Sequence, residues 1–190
     1  QYALYAQQMT QFVHELDQLR ELPAETRDGV RVQILGNIEF PKEAEQIIQK
    51  GGEGIGLYRT EFLYLYGGQE PTEEDHYNAY ASAIRTVGDK PVVIRTMDLG
   101  ADKLPHSGWY VNETNPVLGL RSIRYCLQDL SLFKTQLRAI LRASVLGDVR
   151  VMFPLITNLQ ELRQAKMIIK DVMEDLDEYA VPYHADLPVG

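Results

Sequence analysis

Apolar and polar positions divide the chain into segments with two different periods. In residues 1–20, Tyr2, Tyr5, Met9, Phe12, Val13, Leu16 and Leu19 recur at three- and four-residue steps. This predicts an amphipathic helix whose apolar stripe must lie on something. Pro23 and Gly29, in "ELPAETRDG", break it. Residues 1–29 thus read as a lead-in helix and connector, and 30–190 as the domain proper. From residue 30 short apolar runs alternate with helical patterns. "VRVQILGNI" (30–38) predicts a strand, and Pro41 suits the first turn of a helix running to about Lys50 and ended by Gly51 and Gly52. "GIGLYRTEFLYL" predicts a second strand with its outgoing loop. Residues 71–88 predict a helix with Thr72 as N-cap and Glu73, Glu74 and Asp75 at the positive end of its dipole. "PVVIRTMDL" (91–99) predicts a third strand, followed by a polar loop over 100–114. Asn115-Pro116 opens a short helix, "VLGLRSIRYCL", and a longer helix covers 132–147. "DVRVMFPLI" (148–156) predicts the fourth strand, and Asn158 to about Tyr179 the last helix. A fifth strand would begin at "YHADLPVG".

Four strands alternating with helices predict an α/β fold with parallel strands and right-handed crossovers. The order suits either a (β/α)8 TIM barrel or an open doubly wound sheet. A complete barrel needs roughly 250 residues. The domain has about 160 residues in four βα units, so a barrel here would be the N-terminal half of one.

Composition narrows the function classes. The 190 residues are 45% hydrophobic and 24% charged, enough for one sizeable core. A net charge of −8 argues against a nucleic-acid partner, which needs clustered Lys and Arg. It leaves room for a small anion held in a local basic pocket. No run approaches the ~18 apolar residues of a membrane span, and the N-terminus lacks the regions of a signal peptide. A single cysteine, Cys126, gives no internal disulfide framework. A soluble cytoplasmic protein without membrane insertion is expected.

Two of the apolar runs, "GLYRTEF" (56–62) and "VVIRTMD" (92–98), end in Arg-Thr followed shortly by an acid. In parallel α/β folds ligands bind at the carboxyl ends of strands. Arg59 and Arg95 would share that rim, and neighbouring strands lie about 4.8 Å apart. Arg121, near the start of the next helical segment, and Lys103, in the loop after the third strand, could join them. Guanidinium stays charged and offers a planar fork of donors to carboxylate or phosphate. Glu61 and Asp98 are placed to fix the arginine rotamers. The alternative is that each arginine simply pairs with its local acid.

Other signals point to structure. The glycines of "GGEGIG" (51–56) follow a helix and precede a strand, the reverse of a nucleotide-binding loop, so a helix cap is expected. Cys126 sits among apolar residues and reads as a buried thiol. His14, His76, His106 and His184 show no metal-ligand spacing. Only His106 could face the arginine rim.

Taken together, "GGEGIGLYRTEFLY", "VVIRTMDLGADK", "NPVLGLRSIR" and "QLRAILRAS…VRVMFPLI" resemble the phosphoenolpyruvate–protein phosphotransferases, enzyme I of the bacterial sugar phosphotransferase system. Pyruvate phosphate dikinase and phosphoenolpyruvate synthase share a related barrel and an RTE motif. The resemblance implies a (β/α)8 barrel that binds phosphoenolpyruvate (PEP) and Mg²⁺. In the family, phosphoryl passes to a histidine of a separate N-terminal domain, then to a small phosphocarrier protein for sugar uptake, and the parent is a homodimer. Arg59 of "YRTEF" and Arg95 of "IRTMD" fall on substrate-binding arginines, and Arg121 of "GLRSIR" on a third active-site arginine. Lys103 falls on a basic loop position, although Ala101 stands where the family has a second glycine. The family's Mg²⁺ ligands, a further arginine and a proton-donating cysteine lie beyond these four units. The implied reading is therefore the anion-binding half of a PEP site, with transferase activity in the parent and none in this stretch alone. Two alternatives remain: part of a dikinase relative, or a non-catalytic half-barrel that self-associates through its open sheet edges.

Overall fold

The computed structural model describes residues 2–66, 69–100, 103, 115 and 118–190. Its centre is a parallel sheet of β1 (Gly36–Ile38), β2 (Ile55–Tyr58), β3 (Val92–Arg95) and β4 (Val149–Met152), in the order β1-β2-β3-β4. The helices are α1 (Tyr2–Leu19), α2 (Glu43–Gln49), α3 (Phe62–Tyr66), α4 (Glu73–Val87), α5 (Ile123–Cys126), α6 (Leu130–Ser144) and α7 (Leu159–Glu178). Strand order follows chain order, so each crossover steps the same way. The consecutive crossover helices α2, α4, α6 and α7 pack on one another. No strand-order reversal, the mark of a doubly wound sheet, occurs among these strands.

Burial alternates along the strands as that layering demands. Val92, Ile94, Val149 and Val151 are buried, whereas Val93, Arg95, Arg150 and Met152 are only half-buried. The covered side joins Tyr58, Tyr80, Ile84, Phe133, Leu137 and Ile140 into one core, with Tyr80 edge-on to Tyr58 at 5.8 Å between ring centroids. The long helices start on chemistry visible in the sequence. Thr72 and Asp75 form a capping box for α4, and Asn158 and Glu161 form one for α7. Beyond α7, Val151 N–H donates to Pro188 O and Gly190 N–H to Val151 O, both at 2.9 Å. The chain thus starts to pair beside β4 where a fifth strand is expected, as an isolated parallel bridge at Val189.

Four elements differ from expectation, the first being α3, a short helix where a loop leaving the second strand is predicted. The first strand is confined to Gly36–Ile38. Upstream, Val32 N–H donates to Ala24 O and Thr26 N–H to Val30 O, so 24–32 folds back on itself, and Val30, Val32 and Ile34 are exposed. The segment "VLGLRSIRYCL" keeps only one α-helical turn, α5, in its described part, because Ser122 takes φ +53° directly before it. α1 forms as predicted, yet its stripe lies open among the described residues, with Tyr2, Tyr5, Met9, Phe12, Val13, Leu16 and Leu19 all exposed. Among the described residues, the ties to the domain lie at its C-terminal end. Lys50 Nζ lies 3.3 Å from Asp17, and Arg20 Nη1 donates to Gln49 O at 3.3 Å. Gly51 makes this approach possible: at φ +82°, a Cβ there would fall 2.6 Å from Arg20 O.

Candidate functional site

β2 and β3 pair with Tyr58 opposite Ile94. Arg59 and Arg95, the next residues, therefore reach the same level at the carboxyl rim. The ladder continues through both Arg-Thr pairs. Arg59 N–H donates to Ile38 O (2.9 Å), Thr60 Oγ1 to Arg95 O (3.0 Å) and Thr96 N–H to Met152 O (3.0 Å). Thr60 and Thr96 are fully buried, while both arginines stay half-buried. Because successive residues of an extended chain alternate faces, each threonine turns to the covered side and each arginine to the open one.

The arginines are held by acids. Arg95 Nη2 lies 3.1 Å from Glu61 Oε1 and its Nη1 3.0 Å from Asp98 Oδ2. Arg121 Nη2 donates to Asp98 Oδ1 at 2.8 Å and to Asp98 O at 3.1 Å. Asp98 N–H donates to Glu61 Oε1 at 2.9 Å, and Ser122 Oγ also donates to Asp98 Oδ1. Asp98 thus brings Arg95 and Arg121 together, as the sequence suggests it could. Arg59 stands apart, with Glu39 of the β1 exit 3.8 Å away and 41% of its side chain exposed. Pairing with local acids is therefore real for all three arginines. The Nε atoms of Arg59 and Arg95 are buried and meet no hydrogen-bond partner among the described residues.

Lys103 is exposed in the loop after β3, its backbone N–H donating to Gly100 O at 3.0 Å. His106 lies outside the described residues. Ser122 was not singled out by sequence reasoning, although it adjoins Arg121. Its positive φ, a conformation costing about 1–3 kcal/mol outside glycine, sets its hydroxyl on Asp98. Cys126 is fully buried, and burial pushes its thiol well up from the usual range. Among the described residues, no three of His, Cys, Asp and Glu cluster as a metal site would need. No helix described is long and apolar enough to cross a membrane.

The family described as PEP-utilising enzyme, PEP-binding domain, matches residues 13–190. The chain belongs to that family. Three relatives similar to the chain are each named phosphoenolpyruvate-protein phosphotransferase. The protein of Enterococcus faecalis is 45% identical over 184 residues, covering 93% of this chain and 31% of the relative. That of Staphylococcus aureus is 42% identical over 176 residues, with the same coverages of 93% and 31%. That of Listeria monocytogenes is 46% identical over 158 residues, covering 83% of this chain and 27% of the relative. The chain thus spans less than a third of the length of these relatives.

Proposed function

We propose that this chain is the PEP-binding part of a phosphoenolpyruvate–protein phosphotransferase, and that Arg59, Arg95, Arg121 and Lys103 hold the carboxylate and phosphate of PEP. The observation that carries this reading is the placement of Arg59 and Arg95 at one level of the rim, each with a buried Nε–H that no acceptor among the described residues meets. The relatives' shared name favours a phosphotransferase over a dikinase. The sequential parallel order supports β1–β4 as the first half of a (β/α)8 barrel, with residues 1–29 as its lead-in. In such a parent, phosphoryl leaves the enol oxygen of PEP for a histidine of another domain and then a small carrier protein. The parent would work in the cytoplasm, as a homodimer, in sugar uptake.

The role of these residues is binding and charge placement. Guanidinium donors fix the anion and offset the charge that shifts as phosphoryl departs. The parent's Mg²⁺ would supply further charge neutralisation. The described acids do not fit such an ion, since Glu61 and Asp98 already serve guanidiniums. Its ligands would have to come from elsewhere in the parent.

Titration calorimetry or NMR titration of PEP against the chain tests the reading. Each hydrogen bond to a charged group gives about 1.5–3 kcal/mol, so Arg59→Ala or Arg95→Ala weakens PEP binding by about tenfold or more. PEP affinity unchanged in both variants overturns it.

A further inference from the structure

α6 buries a polar residue within its apolar stripe. Gln136 is fully buried between Phe133, Leu137 and Ile140. Its amide is satisfied on both sides. Oε1 accepts from Met97 N–H at 3.0 Å, while Nε2 donates to Thr60 Oγ1 at 3.0 Å and to Tyr80 OH at 3.1 Å. The orientation is forced. A backbone N–H can only donate, so Oε1 faces Met97, and the two amide hydrogens go to the two hydroxyls. Thr60 Oγ1 then passes its own hydrogen to Arg95 O at 3.0 Å.

Met97 lies two residues after Arg95, and Thr60 one residue after Arg59. We propose that Gln136 is a positioning residue: from the covered face of the sheet it fixes the spacing and orientation of the two strand-end arginines. Glu61 ties the same two strand exits from the open face, through Asp98 N–H and Arg95. The rim is clamped from both sides, and the side chains that touch the anion are held by groups that do not. The inference rests on the reading that Arg59 and Arg95 bind PEP.

The test replaces Gln136 with methionine, which keeps its length and removes all three hydrogen bonds. Two quantities are read on the chain: the nanosecond order of the Arg59 and Arg95 Nε–H groups by ¹⁵N relaxation, and PEP affinity by titration beside Arg59→Ala and Arg95→Ala. Small displacements of binding groups are costly. The expected result is more mobile Nε–H groups and PEP binding weaker by about tenfold, with the melting transition still cooperative. Should Gln136→Met not fold, Thr60→Val cuts the Thr60 end of the bridge at constant volume and is read the same way. Unchanged Nε–H order in the folded variant overturns the proposal, whatever PEP does. Weaker binding in the arginine variants with none in Gln136→Met overturns it while sparing the binding site. Unchanged binding in all three variants overturns the binding reading and this one with it.

Discussion

Lowering the pH should destabilise the chain through one histidine. His76 is 1% exposed in α4, with Nδ1 2.8 Å from Tyr80 OH and Nε2 3.3 Å from Tyr64 OH. Tyr80 OH accepts from Gln136 Nε2 and also pairs with His76 Nδ1, where donor and acceptor follow the ring's tautomer. Buried against two hydroxyls, the imidazole is held neutral. Burial pushes its pKa from the usual 6.5 down to about 4, against the opposing pull of Asp75. Above pH 6.5 both folded and unfolded chains carry a neutral ring, and the full stability is present. Below it the unfolded chain takes up a proton that the folded chain refuses until about pH 4. A gap of about 2.5 units at about 1.4 kcal/mol each gives about 3.5 kcal/mol in all, of which about 2.5 kcal/mol is lost between pH 7.5 and 4.5. That is a large share of the ~5–15 kcal/mol typical of a domain. Urea unfolding at half-unit steps from pH 7.5 to 4.5, for wild type and His76→Phe, isolates the effect, because carboxylate titration is common to both. The variant is less stable at pH 7.5, since Tyr80 loses a hydrogen-bond partner, but its curve is flatter by about 2.5 kcal/mol over this range. Parallel curves would refute the neutral buried histidine.

Two further outcomes follow from the geometry. Gly51→Ala imposes φ +82° on a residue with a Cβ and pushes that Cβ onto Arg20; a loss of about 1–2 kcal/mol in urea unfolding is expected, with faster amide exchange where α1 meets α2. Asp98→Asn removes the charge shared by Arg95 and Arg121; sulfate should then bind more tightly while the preference for PEP over sulfate falls, as competitive titration would read.

The long helices were legible because their period is sustained and their caps are local. Thr72 needs only Asp75, and Asn158 only Glu161. The rim arginines were legible because an apolar run that ends in a cation is itself a signal. What failed depended on distant partners. Val30, Val32 and Ile34 alternate as a strand would, but a turn through Gly29 returns that segment to Ala24, an outcome decided by tertiary pairing rather than propensity. Residues 117–127 carry a helical pattern that Arg121 and Ser122 interrupt to reach Asp98. Gln136 stood in plain view as one polar residue in the stripe of Leu132, Phe133, Leu137 and Ile140. Its partners, 39, 56 and 76 residues away, could not be read from that position.

The acids on the rim bear on how an anion would be recognised there. Arg59, Arg95 and Arg121 face Glu39, Glu61 and Asp98, so the assembled charges nearly cancel. An approaching anion meets little net field, and steering from a distance is weak. The acids act before the ligand arrives. They hold the guanidiniums in fixed rotamers, so part of the ~0.5–1.5 kcal/mol for immobilising each long side chain at binding is already met in folding. Binding at the proposed site would then depend on the donors left over, including the Arg59 and Arg95 Nε–H groups. Such donors reward an anion whose oxygens match their directions and give little to one that does not. Geometry rather than charge would set the affinity, which is how a chain of net charge −8 can carry the proposed anion site. It is also why loosening the clamp from behind, at Gln136, should matter as much as removing charge from the front.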